Sequence, residues 1–244
     1  MKKRVVRMIL WSLLGIYLTG MVVYISSTSG SRVCKDIAVV IEDQDDLNFL
    51  SAKDIEISIK KKFPQLIGSK VDRLQLDNIE HFVLKRKTVE ECAVYQTISG
   101  GLRVSITQRK PFARIFSGGR SYYIDEEGND FPSTHRFASR VMVVNGSIGA
   151  LKTYNDLIEL IRFIEKDSFW EAQIVQISVE PNGDFALIPR IGDHVIILGN
   201  IDRIEDKFKM LLGFYNNALQ PQEWQKYSKI NIKYEGQVVC TRKG

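Results

Sequence analysis

The chain is poor in the residues that carry reactive chemistry. Its 244 residues include three histidines and three cysteines. His81, His135 and His194 stand far apart, with no HExxH pair, no CxxC and no Cys/His spacing of a zinc site. Gly146-Ser147-Ile148-Gly149 lacks the strand-turn-helix setting and first glycine of a nucleophile elbow. No phosphate-cradling or dinucleotide glycine loop is present, and Gly192 and Gly199 read as turn glycines around a strand. Asp125, Glu126, Glu127 and Asp130 are the closest cluster of acids. Asp, Asn and Gly are what a tight hairpin turn requires, so a turn explains them better than a carboxylate site. No catalytic, cofactor-binding or metal-binding residue is therefore assigned, and neither an enzyme nor a small-molecule substrate is expected. Cys34, Cys92 and Cys240 are odd in number and allow at most one internal disulfide; three free, buried thiols are the simpler expectation.

The sequence also has only one long hydrophobic run. Residues 8–25, MILWSLLGIYLTGMVVYI, carry no charge over eighteen positions. As a helix they would cover about 27 Å, close to the hydrocarbon core of a bilayer at ~30 Å. Lys2, Lys3, Arg4 and Arg7 precede the run, and no basic residue follows until Arg32. The positive-inside rule then puts residues 1–7 in the cytoplasm and everything after the span across the membrane. A cleaved secretory signal is the rival reading, but its apolar region usually runs ~7–15 residues, so length favours the anchor. Residues 26–31 form a polar spacer.

An excess of charge is missing as well, once that leader is set aside. The net charge of +5 comes from 34 Lys and Arg against 29 Asp and Glu. Removing the four leader cations leaves 30 against 29, about +1 for residues 32–244. The basic balance is a topology signal, and nucleic acid is not an expected partner.

The region beyond the spacer is long enough for two small domains. Residues 33–41 have strand character, with Ile37, Val39 and Ile41 alternating. Residues 42–46 read as a solvated acidic loop. Ser51 and Asp54 have capping-box spacing before a helix with Ile55, Ile59 and Phe63 on one face, stopped by Pro64. Asp77 and Glu80 cap a second short helix. Residues 89–98 and 102–108 make a hairpin, Leu102, Val104 and Ile106 alternating with polar residues. This β-α-α-β-β order over residues 32–110 predicts a small α+β domain.

Residues 111–244 predict a mainly antiparallel β domain with two helices. Expected strands cover 112–116, 121–124, 141–144, 174–179, 185–188 and 194–198, and then 230–234 and 237–241. The helices follow Thr153–Asp156 and run from about Asp202 to Asn217. Pro181-Asn182-Gly183-Asp184 is a strong turn signal. Exposed hairpin edges would suit a binding protein, because an edge strand offers unpaired backbone groups to a partner's strand.

Three stretches carry a resemblance across essentially the whole chain: residues 104–113 (VSITQRKPFA), 122–131 (YYIDEEGNDF) and 230–239 (INIKYEGQVV). In this order behind one N-terminal span, they resemble the FtsQ/DivIB cell-division family. The resemblance implies a single-span inner-membrane protein with an extracytoplasmic POTRA domain, a β domain, and a place at the division septum. It implies a non-enzymatic scaffold binding coiled-coil division proteins of the FtsB/FtsL type. Carried across, Ile232, Lys233, Tyr234, Gly236 and Val238 fall on the terminal strand expected to receive the partner. A POTRA-bearing component of envelope protein secretion or assembly is the alternative, although that class normally carries several POTRA units or a β-barrel.

Overall fold

The structure is a computed structural model that describes residues 2–28, 33–70, 73–151, 153–217 and 224–244, with side chains left out at 2–9, 25–28 and 73–74. Of the expected spacer, residues 26–28 continue helix α1 and residues 29–31 lie outside the described residues. Helix α1 covers Lys2–Thr28, and Leu10, Trp11, Tyr17 and Tyr24 are among its exposed side chains. Among the described residues, no helix is long and apolar enough to cross a membrane.

Contacts divide the chain into two units. One comprises Met1–Gln44 and Leu50–Gln108, the other Asp45–Phe49 and Arg109–Gly244.

In the first unit β1 (Ile37–Ile41), α2 (Ala52–Lys62), α3 (Arg73–Leu84), β2 (Val89–Gln96) and β3 (Leu102–Gln108) follow in that order. The sheet order is β1-β3-β2, with β1 parallel and β2 antiparallel to β3. The alternation in β3 works as expected: Leu102, Val104 and Ile106 are buried together with Ile37, Ile41, Ile55, Ile59, Ile79 and Val83. Each fully buried aliphatic side chain contributes about 1.5–3 kcal/mol before chain entropy is counted. Ser51 caps α2, its hydroxyl accepting from the Asp54 amide at 3.3 Å. The second expected cap does not act as one. Helix α3 already begins at Arg73, and the Glu80 carboxylate instead accepts from the Val94 amide of β2 at 2.7 Å. The acidic loop is also more than a solvated turn. Asp43 accepts from the Gln108 amide at 3.1 Å and from its side-chain Nε2 at 3.1 Å. The other end of that fully buried Gln108 side chain accepts from the Leu50 amide at 2.9 Å.

The second unit is a nine-stranded sheet in the order β12-β11-β10-β9-β8-β7-β4-β5-β6. Its strands are β4 (Ala113–Ser117), β5 (Arg120–Ile124), β6 (Asp130–Pro132), β7 (Met142–Gly146), β8 (Ile174–Val179) and β9 (Phe185–Pro189). They continue with β10 (Val195–Gly199), β11 (Tyr227–Asn231) and β12 (Val239–Arg242). Five of the eight pairings are antiparallel. The parallel ones are β4–β7, β7–β8 and β10–β11. Each parallel pair is joined through intervening structure, as parallel strands require. Helix α4 (Asn155–Glu165) buries Leu157, Ile158, Leu160, Ile161 and Ile164, and α6 (Ile204–Asn217) buries Phe208, Leu211 and Tyr215. A third helix, α5 (Ser168–Gln173), was not expected. At six residues it is too short to show a helical repeat; the Asp167 carboxylate caps it by accepting from Phe169 and Trp170 amides.

Residues 45–49 belong to this unit because Leu47 and Phe49 are buried with Tyr123 and Phe131. Phe49 meets Tyr123, Phe131 and Phe137 edge-on at centroid distances of 5.3, 5.7 and 5.0 Å, a favoured aromatic geometry. The acids at 125–130 form the expected turn. Buried Asp125 accepts from the Asn129 amide at 2.7 Å and the Glu127 amide at 3.0 Å, and it pairs with Arg109.

Candidate functional site

The region of interest is the end of the sheet where β10, β11 and β12 meet the start of α6. It is built on the backbone of β10. Ile232 extends the parallel pairing beyond β11, its amide donating to the Ile197 carbonyl at 3.0 Å, and its side chain is fully buried. The chain then leaves the sheet, because the Asn231 side-chain oxygen accepts from the Lys233 amide at 3.0 Å. A short side chain that bonds the backbone two residues on makes a turn and ends a strand.

This changes the position of the five expected partner-binding residues. The strands are Tyr227–Asn231 and Val239–Arg242, so Ile232, Lys233, Tyr234, Gly236 and Val238 lie in the connection between them. The strand expected over 230–234 ends at Asn231. The actual β11 starts earlier, in the polar run Tyr227-Ser228-Lys229, which has no apolar alternation to reveal it. The structure brings the five together in one hairpin connection with different surroundings. Ile232 is core, Val238 packs against the core from a half-buried position, and Tyr234 is 54% exposed.

Lys233 is held on both sides. Its stem crosses the backbone of Gly199, where a Cβ would stand 2.8 Å from the Lys233 Cγ. Only a residue without a side chain allows that approach. The Lys233 ammonium then donates to the Asp184 carboxylate at 2.6 Å, which also accepts from the Asn182 side-chain amide at 2.9 Å. The hydrogen bond from Lys233, ahead of the opposing cost of burial, holds the Asp184 carboxyl below the usual carboxylate range. Asp184 raises the Lys233 ammonium in turn.

A groove of about 400 Å³ lies between this connection and α6, lined by Arg203, Asp206, Lys207, Lys209, Met210, Tyr234, Glu235 and Gly236. Arg203 pairs with Glu235 across it. Lys207 is almost wholly buried, and its ammonium donates to the Asn200 carbonyl at 2.7 Å and side-chain oxygen at 3.0 Å. Burial pulls its pKa down. That lysine anchors the first turn of α6 to the chain leaving β10. Beside the groove, β12 is the last strand of the sheet, paired on one edge with β11 and with no further strand among the described residues. Its first residue, Val239, is 49% exposed.

Sequence reasoning missed Asp184, Arg203 and Lys207. In the sequence Asp184 belongs to a turn motif, and its bond to a lysine 49 positions later leaves no local signal. His194 is another surprise. A histidine opening a strand predicts a surface or boundary position, yet it is buried, with its Nε2 2.9 Å from the Tyr215 hydroxyl. Among the described residues, the buried histidine, aspartate and lysine are each engaged by structural neighbours: His194 by Tyr215, Asp125 by Arg109 and Asn129, Lys207 by Asn200. Among the described residues, no group of three or more His, Cys, Asp or Glu could hold a metal ion. All three cysteines are free, Cys34 buried and the other two half-buried.

Comparison with known proteins agrees with this architecture. A protein-family model described as POTRA-like domain matches residues 32–107, over the β1-α2-α3-β2-β3 region. No curated protein matches the chain. A second family model, described as FtsQ/DivIB, C-terminal related, matches residues 110–241 and so takes in both the nine-stranded sheet and the groove beside its terminal strand. The two matches together support a cell-division scaffold in general, built from modules of non-catalytic families. With more than half of its length covered by the second match, the chain belongs to the FtsQ/DivIB-related family.

Proposed function

We propose that the protein is a membrane-anchored, non-enzymatic scaffold of the division septum that receives partner segments by strand addition to β12. Residues 8–25 are its anchor, with the N-terminus in the cytoplasm and both folded units across the inner membrane. Support for the anchor comes from the eighteen uncharged residues, the four leading cations, and a continuous helix over Lys2–Thr28 whose described side chains are exposed and mostly apolar. Three of those eighteen, residues 8, 9 and 25, fall outside the described side chains.

The observation that carries the partner-binding part is the position of β12 at the end of the sheet beside the exposed Tyr234. A terminal strand supplies backbone donors and acceptors in register, and side chains next to it add selectivity. An exposed aromatic at such an edge is the residue type that dominates interfaces. Partners of the FtsB/FtsL coiled-coil type fit this reading through the family. Ile232 and Val238 support the loop from within, while Lys233, Tyr234 and Gly236 form its outer part.

The test is a pull-down with the purified full chain against coiled-coil division partners. Tyr234→Ala should weaken binding by ~30-fold, the loss of an aromatic hot spot of about 2 kcal/mol. The variant should keep the wild-type circular dichroism spectrum. Binding at wild-type strength would sink the assignment of this edge.

A further inference from the structure

We infer that one end of the first unit is a membrane-docking surface, in which Ile98, Ile67 and Val33 enter the interface of an anionic lipid bilayer; this rests on the anchor reading above. Three separate segments meet at that end. The Cys34 amide donates to the Ser69 carbonyl at 2.9 Å, and the Gly68 amide donates to the Cys34 carbonyl at 2.8 Å. Val33 bridges to Lys70, and the Lys35 amide donates to the Gly100 carbonyl at 3.0 Å. The start of the unit, the loop after α2 and the tip of the β2–β3 hairpin therefore share one face.

Each of the three segments puts a large aliphatic side chain into solvent there. Ile98 at the hairpin tip is 90% exposed, and Ile67 and Val33 are also exposed. A hairpin turn needs no isoleucine; Asn, Asp, Gly and Ser suit such a tip. Among the described residues of these segments the cations are Lys35, whose stem runs beside Gly100, and Lys70, and the acid is Asp36; the sequence adds Arg32 before Val33 and Asp72 after Lys70. Exposed aliphatics flanked by lysines are the chemistry of an interfacial lipid contact, in which the stems lie in the apolar layer and the ammonium groups reach the phosphates.

Covalent geometry supplies the bilayer as the occupant. Five chain steps separate Thr28, the end of α1, from Val33. At a maximum of about 3.6 Å per step, Val33 lies within ~18 Å of that helix end, whatever path the link takes. A surface so tethered meets the headgroups at a high local concentration, so weak contacts suffice.

The test uses the full chain reconstituted in nanodiscs of phosphatidylcholine, with or without phosphatidylglycerol. Ile98→Cys carries an environment-sensitive fluorophore, and lipids labelled with nitroxide in the upper acyl region act as quenchers. Glu90→Cys, exposed at the other end of β2, is the control, and the labelled parent chain corrects for the native thiols. Quenching at position 98 should exceed that at position 90 by at least about twofold. It should rise with phosphatidylglycerol, and the added changes Ile67→Asp or Lys35→Glu with Lys70→Glu should reduce it. Failure of the chain to enter the discs overturns the anchor and the docking surface together. Insertion with equal quenching at both positions overturns the docking surface alone.

Discussion

The Lys233 ammonium and the Asp184 carboxylate lie 2.6 Å apart although 49 positions separate them, and they tie the β11–β12 connection to the turn before β9. Asp184→Asn should therefore loosen residues 232–238 while leaving the sheet intact. Amide exchange should quicken in that connection and stay unchanged in β8 and β9. The sign of the pH effect follows from the depressed Asp184 carboxyl. The tie is fully present above the ordinary carboxylate pKa and is lost as pH falls through the lower folded-state value. Exchange in the connection of the parent chain should thus approach that of the variant only in strong acid.

His194 gives a second pH dependence in a different window. Burial lowers its pKa from 6.5, with the Trp224 backbone and Asp193 opposing in part. A base whose folded pKa is depressed stabilises the fold above its unfolded value, and that contribution is lost as pH falls from about 6.5 toward the folded value. Melting temperature should drop between neutral pH and pH ~5. His194→Gln should flatten this part of the profile, which a thermal-melt series across that range would reveal.

Phe49→Ala should cost about 3–5 kcal/mol, the usual loss for a buried phenylalanine. It removes three edge-on ring contacts at once, those with Tyr123, Phe131 and Phe137. Denaturant melts monitored by tyrosine fluorescence would measure the loss. A change of under ~1 kcal/mol would mean that residues 45–49 are peripheral to the second unit.

Gly146→Ala should destabilise by about 2 kcal/mol or more. The residue has φ 96°, and an added Cβ would stand 2.3 Å from the Val179 carbonyl oxygen. Since Gly146 pairs with Val179 in the parallel β7–β8 ladder, backbone must move to admit a methyl group. Equilibrium unfolding of the variant decides this.

The parts of the fold that could be read in advance are those fixed by short-range periodicity. Ile55 and Ile59 on α2, and Leu102, Val104 and Ile106 on β3, announce their buried faces within a few residues, and all are buried. What stayed hidden depends on distant partners. Leu47 and Phe49 follow an acidic stretch and look like loop residues until Tyr123 and Phe131 are beside them. β11 is polar in sequence and is a strand because β10 and β12 flank it. In the candidate site, Tyr234 was found through a family motif, but its place in a turn depends on the side chain of Asn231. Asp184 and Lys207 matter through contacts no local pattern encodes.

The aromatic cluster around Phe49 also sets an order of events during synthesis. Phe131 follows Phe49 by 82 positions. Leu47 and Phe49 therefore leave the ribosome well before the strands that bury them, and they wait in solvent while the intervening chain is made. Completion of the second unit therefore includes the capture of a segment translated before any of its own strands.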